Sequence, residues 1–251
     1  MQLRPKLLTV MTLGALAAFS VGACKDKSAE TDAAATPAAT AAAATPADMA
    51  TPKAGPVKYR VELTPLWTKA SFPFEYPDTS LIHKPHFSGM IGTAHNASYQ
   101  IFAEGKLPTP GLEHLSEEGK HSPLDEEIKA AIAAGNGLTL SESEPLKDFT
   151  KTSSMEMTVD DAHSMASLVA MIAPSPDWFA GVDVNLMENG AWVASKTVDV
   201  SAWDSGGDDG TTYLADDKDN NPKKPTTLNM SKHFLKDGKP QPVARLTFTK
   251  M

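Results

Sequence analysis

The placement of its aromatic side chains limits where this chain can build a core. Of 17 Phe, Trp and Tyr residues, sixteen follow Pro56, and only Phe19 precedes it. Residues 25–56 read KDKSAETDAAATPAATAAAATPADMATPKAGP, in which thirteen of 32 positions are Ala, five are Thr and four are Pro. Ala favours helix, but Pro37, Pro46, Pro52 and Pro56 interrupt every run. The segment has too little apolar area to offset the entropy of ordering its backbone. It reads as a surface tether, with a fully extended reach on the order of 100 Å at ~3.3 Å per residue.

Ahead of the tether lies MQLRPKLLTVMTLGALAAFSVGAC. Arg4 and Lys6 form a positive start, and Leu7 to Val21 is an uncharged, mostly apolar run. A bilayer span needs about 20 such residues, so this run suits a signal-peptide core better. Val21-Gly22-Ala23-Cys24 follows at once, and it resembles the lipobox of a bacterial lipoprotein. Small residues before the cut fit a peptidase groove, and the cysteine supplies the thiol for acylation. Several acyl chains on Cys24 would anchor the chain stably in a membrane. Cys24 is the only cysteine, which leaves no internal disulfide. Lys25 follows it, not the Asp of an inner-membrane retention signal, so the outer membrane is the expected destination where a cell has two.

The division expected is therefore a signal peptide over 1–23, lipidated Cys24 and tether over 24–56, and one folded domain over 57–251. The formal charge of -8 becomes -10 once Arg4 and Lys6 are removed, because no acid leaves with them. A surplus of acids argues against nucleic-acid binding, which needs concentrated Lys and Arg to displace phosphate counterions.

Within the domain, Tyr59-Arg60-Val61-Glu62-Leu63 alternates in polarity and predicts a first strand. Further strands are expected at Tyr99–Phe102, Ser154–Val159, Ser167–Ile172, Ala191–Val200 and Val243–Thr249. Ser122-Pro123-Leu124-Asp125 predicts a helix with Ser122 as its cap, running to about Ala134 and stopped by Gly135. A second short helix is expected within Gly111–Gly119. Short strands separated by Pro and Gly, with few helices between them, predict an all-β, two-layer antiparallel sandwich.

Five segments, in order, resemble the spondin domain family. They are Tyr59-Arg60-Val61 with Trp67 and Phe72-Pro73; His86-Phe87-Ser88-Gly89-Met90-Ile91-Gly92-Thr93-Ala94-His95-Asn96 running into Tyr99 and Phe102-Ala103-Glu104-Gly105; Gly111 to Gly119; Ser167 to Val182, including Pro174-Ser175-Pro176-Asp177-Trp178-Phe179; and Trp203-Asp204-Ser205-Gly206-Gly207-Asp208-Asp209-Gly210. The resemblance implies a C2-like β-sandwich that carries a calcium ion. The implied ligands are Asp177, Asp204 and Asp208. The family's loop pattern is Trp-Asp-Ala-Gly-Thr-Asp-Ser-Gly, so this chain departs at Ser205, Gly207 and Asp209. Members of known role are matrix and cell-surface proteins, which implies an adhesion or ligand-binding module with an envelope protein or glycan as partner.

The acidic loop reads similarly on its own chemistry. Residues 203–210 hold three carboxylates and three glycines. Glycines permit a tight turn in which Asp204 and Asp208 face one cation, and crowded carboxylates repel unless protons or a cation neutralise them. Hard oxygen donors favour Ca²⁺ over Zn²⁺. Without the family, a solvated polar hairpin is the better reading of the loop, and the resemblance is what turns it toward a calcium site. The Asp216, Asp217, Asp219, Asn220, Asn221 run reads as an exposed loop, and Trp178 and Phe179 as anchors for Asp177.

His83, His86 and His95 lie within 13 residues, but no His-Glu-x-x-His, Gly-x-Ser-x-Gly or Cys-His pattern accompanies them. His86 and His95 are expected to be framework residues, and the chain is expected not to be an enzyme. Two alternatives stay open: a structural envelope lipoprotein without a specific ligand, and a metal-dependent hydrolase with its site near His86 and His95.

Overall fold

The computed structural model describes residues 55–77, 80 and 84–251. The expected signal peptide, Cys24, most of the expected tether and His83 lie outside the described residues. In chain order the elements begin with β1 (Val57–Pro65), β2 (His86–Phe87), β3 (Ile91–His95), α1 (Pro110–Glu118) and α2 (Leu124–Ala133). Then come β4 (Gly137–Glu142), β5 (Ser153–Val159), β6 (Met165–Ala173), β7 (Trp178–Asn185), β8 (Met187–Glu188) and β9 (Ala191–Trp192). The last are β10 (Ser195–Asp204), β11 (Thr227–Leu228), β12 (Leu235–Lys236), β13 (Lys239–Pro240) and β14 (Ala244–Lys250).

One antiparallel path, β4-β3-β6-β7-β10-β14-β1-β5, carries the domain. Strand β10 turns the corner between layers. Its first part, Ser195–Val200, pairs with β14, and its last part, Ser201–Asp204, pairs with β7. The far edges approach each other through Ser153 Oγ, which bonds Ser143 Oγ at 3.0 Å and Glu144 O at 3.1 Å. The product is a nearly closed antiparallel β-sandwich with two short helices, as the strand pattern predicts.

Burial follows from the layers. Strand β1 alternates, with Tyr59, Val61 and Leu63 inward and Arg60 outward. Strand β6 is buried at eight consecutive positions because both of its faces are covered. Ala166, Leu168, Ala170 and Ile172 face the sandwich interior with Tyr59, Met157 and Phe248. Val169 faces outward into a second cluster with Ile91, Phe179, Leu112 and Leu115 of α1, and Leu124 and Ile128 of α2. Helix α1 is thus pinned over the outer face of the β6–β7 pair, which sets where its polar residues fall.

Two local expectations are corrected. Tyr99–Phe102 is not a strand. Ile101 and Phe102 are neighbours that are both buried, so the chain bends instead of alternating, and Ile101 N–H donates to Ser167 Oγ at 3.2 Å. Ser122 does not cap α2 either; the preceding position is Pro123, with no side-chain cap bond. Asp125, Glu126 and Glu127 offset this in the first turn, where carboxylates favour the exposed N–H groups. Glu127 also fastens the start of α1, accepting from Gly111 N–H at 2.7 Å and Thr109 Oγ1 at 2.6 Å. Gly135 ends α2 as expected, at φ +75° with its N–H on Ile132 O.

Candidate metal centre

Sheet register brings the two acidic loops together. Asp204, the last residue of β10, pairs with Trp178, the first residue of β7, so Asp177 and Asp204 arrive side by side at one sheet end. Ser175 braces the turn before β7 by donating to Ile172 O at 2.5 Å and accepting from Trp178 N–H at 3.1 Å. Trp178 and Phe179 then fix Asp177 from opposite faces. Trp178 packs inside on Tyr213, His233 and Phe234, with ring centres 5.2–5.3 Å away. Phe179 packs outside on Phe102 at 5.1 Å. Both rings are buried, as their reading as anchors requires.

Asp177 is wholly buried. Its Oδ2 accepts from Ser205 Oγ at 2.9 Å, Gly207 N–H at 2.8 Å and Asp208 N–H at 3.2 Å. Its Oδ1 is equally enclosed and has no hydrogen-bond partner. Burial pushes the Asp177 carboxyl above its ordinary range, against the pull of those donors. Asp204 is pushed up to about 6, by burial and then by the Asp177 charge. Asp204 Oδ1 accepts from Gly206 N–H at 3.1 Å.

Asp208 is placed differently. Its Oδ1 accepts from Gly210 N–H at 2.6 Å and its Oδ2 from the Lys218 N–H, so both oxygens hold backbone. Asp209 faces solvent and pairs with Lys218 and Lys224, which hold its carboxyl down to about 2, the Lys224 bond contributing most. Ser205, one of the departures from the family pattern, contributes a buried hydroxyl to Asp177. Gly206 is obligatory here: its φ is +85°, and a Cβ would lie 2.2 Å from Lys224 O.

The 216–221 run is corrected from a plain exposed loop. Asn220 is buried, and its Nδ2 donates to Gly206 O at 3.1 Å and Asp208 O at 2.9 Å, so the run folds back as a clasp on the acidic loop. Asp219 remains exposed and approaches α1. One carboxylate oxygen each from Glu113, Glu117 and Asp219 fall within 4.8 Å of one another, a grouping that Asp177, Asp204 and Asp208 do not make among the described residues. Lys223 Nζ meets Glu113 at 2.6 Å and Asp219 at 3.4 Å. Burial, and next the Glu113 charge, push the Glu117 carboxyl up to about 7.

Sequence reading missed Glu113, Glu117, Asp219 and Lys223. Only the helical spacing of Glu113 and Glu117 signals that they share a face. Nothing in the sequence places that face over the loop.

The histidines do not converge. His86 pairs with Ala173 and His95 with Met165, the two ends of β6, about 27 Å apart at ~3.4 Å per residue. His86 Nδ1 lies 2.7 Å from Lys84 O. His95 is fully buried, with Nδ1 2.8 Å from Asn96 O and Nε2 3.2 Å from Asp183 Oδ2. No shared cleft joins the two imidazoles.

The donors at the sheet end are hard oxygens, the donor class a divalent cation such as calcium takes, with Asp177 wholly buried and Asp204 partly so. Fold and loop together define an antiparallel sandwich with a carboxylate-lined end. The family model Spondin_N matches residues 57–239, and the chain belongs to that family. Spondin-2 of Homo sapiens is 33% identical over 159 residues, covering 62% of this chain and 47% of that protein. Spondin-1 of Bos taurus is 30% identical over 182 residues, covering 68% of this chain and 21% of that protein. The chain thus spans less than half the length of these relatives.

Proposed function

We propose that this protein is a non-enzymatic binding module of a bacterial cell envelope, ordered by one calcium ion and held to the outer membrane through lipid on Cys24. The observation that carries the calcium reading is the Asp177 carboxylate, wholly buried with Oδ1 lacking a partner. A bound cation offsets this charge and those of Asp204 and its neighbours, and locks the turn before β7 to the end of β10. Asp177 and Asp204 would hold it, with Asp208 shaping the loop through its two backbone hydrogen bonds. The ion would supply charge neutralisation and order, with no bond chemistry.

The module reading follows from family membership: a rigid sandwich presents loops as its contact surface, to an envelope protein or glycan. The anchor reading rests on the Val21–Cys24 motif and the aromatic-free stretch after it. Elemental analysis of the purified chain, after equilibration with Ca²⁺ and desalting, should give one calcium per chain; none would contradict the calcium reading. Mass analysis of the membrane-extracted protein should find an acylated N-terminal Cys24, and Cys24→Ala should move the protein to the soluble fraction. A pull-down from envelope fractions with Ca²⁺ and with chelator tests whether the loop end is the contact surface.

A further inference from the structure

We propose that Glu117 on helix α1 is a further ligand of the Asp177 cation, so that the ion ties the helix layer to the sheet end. This rests on the calcium reading above and adds a residue from a different element to it.

The argument is an accounting of charge around Gly207. Asp208 spends both oxygens on backbone N–H groups. Glu113 and Asp219 share the Lys223 ammonium, which also donates to Gly207 O at 3.2 Å. Asp177 Oδ2 takes three donors. Among the carboxylates around Gly207, two oxygens are left enclosed and without a hydrogen-bond partner: Asp177 Oδ1 and Glu117 Oε1. Both carboxylates meet the same residue. Gly207 N–H donates to Asp177 at 2.8 Å, and a Cβ on Gly207 would sit 2.5 Å from Glu117 Oε1. The missing side chain at 207 is what admits the glutamate.

An enclosed, partnerless carboxylate oxygen is costly, and two that approach the same glycine are more so. A calcium ion takes six to eight oxygens at roughly 2.3–2.6 Å, so it needs ligands beyond the Asp177 and Asp204 carboxylates. Glu117 completes the set from above, and it lies in the last turn of a helix already fixed by Leu112 and Leu115.

The test is calorimetric titration of Ca²⁺ into the chelator-stripped full chain. Glu117→Gln, which keeps shape and removes the charge, should weaken binding by about tenfold or more. Gly207→Ala should weaken it too, by pushing the glutamate away. Glu118→Gln, on the neighbouring residue that is exposed and paired with Lys120, should leave it unchanged. If the wild type binds and Glu117→Gln binds within twofold of it, this inference fails while the calcium reading stands. If the wild type binds no Ca²⁺, both fail.

Discussion

The two ends of the β6–β7 pair bury carboxylates in opposite ways. At one end Asp183 of β7 has His95 of β3 3.2 Å away, and the imidazole is fully buried. At the other, Asp177 just before β7 and Asp204 of β10 face no cationic side chain at bonding distance among the described residues. The nearest lysines are committed elsewhere: Lys223 to Glu113 and Asp219, Lys224 to Asp209. One end sets a basic side chain of the chain itself beside its carboxylate, and the protonated imidazole offsets that charge. The other gathers carboxylates with no cationic side chain beside Asp177 or Asp204, the arrangement on which the proposed cation rests.

This contrast can be broken at either end. The largest effect is expected from His95→Ala. It leaves Asp183 uncompensated and opens a hole beside Tyr99, at a cost of about 3–5 kcal/mol in denaturant unfolding. Ca²⁺ should not restore that loss. Gly206→Ala forces a Cβ onto Lys224 O in a left-handed backbone, and should cost about 2–3 kcal/mol while weakening Ca²⁺ binding.

The pH response sharpens the contrast further. Burial pulls the His95 pKa down, but the Asp183 bond, the Asn96 carbonyl and the Asp183 charge outweigh it, so the net shift is upward. A group bound more tightly to its proton in the folded state stabilises fully below its unfolded value, about 6.5. Its contribution fades as pH rises through the higher folded value. Stability attributable to His95 should therefore fall from mildly acidic toward alkaline pH, and His95→Gln should flatten that slope in unfolding titrations. The smallest effect belongs to Asp209→Ala. Its ion pairs are solvent-exposed, so the unfolding midpoint should hold and only its salt dependence should change.

How far these features were readable in the sequence depended on their range. Alternation in Tyr59–Leu63 and Ser154–Val159 located real strands, because one face of each is solvated. The unbroken apolar run from Ser167 to Ile172 also located a strand, but not the reason for its composition, which is that helices cover its second face. Tyr99–Phe102 misled because two adjacent aliphatic and aromatic residues were buried by a bend, a choice made by the outer cluster. At the site, Asp177 and Asp204 were legible through local motifs and family likeness. Glu117 was not: it lies 60 residues before Asp177 and 90 before Gly207, and only the packing of α1 on β6 and β7 brings it over the loop. Asn220 was hidden for the same reason, its clasp depending on where a loop returns.

The unmet charge of Asp177 is the centre of this account, and thermal unfolding of the wild type and Asp177→Asn tests it directly. Asparagine keeps an acceptor for Ser205, Gly207 and Asp208 while removing the charge. With chelator, Asp177→Asn should melt above the wild type. Saturating Ca²⁺ at about 100 Kd should raise the wild-type midpoint by roughly 5–10 °C and leave the variant unmoved. A wild-type midpoint indifferent to Ca²⁺, or a variant that gains as much as the wild type, would contradict it.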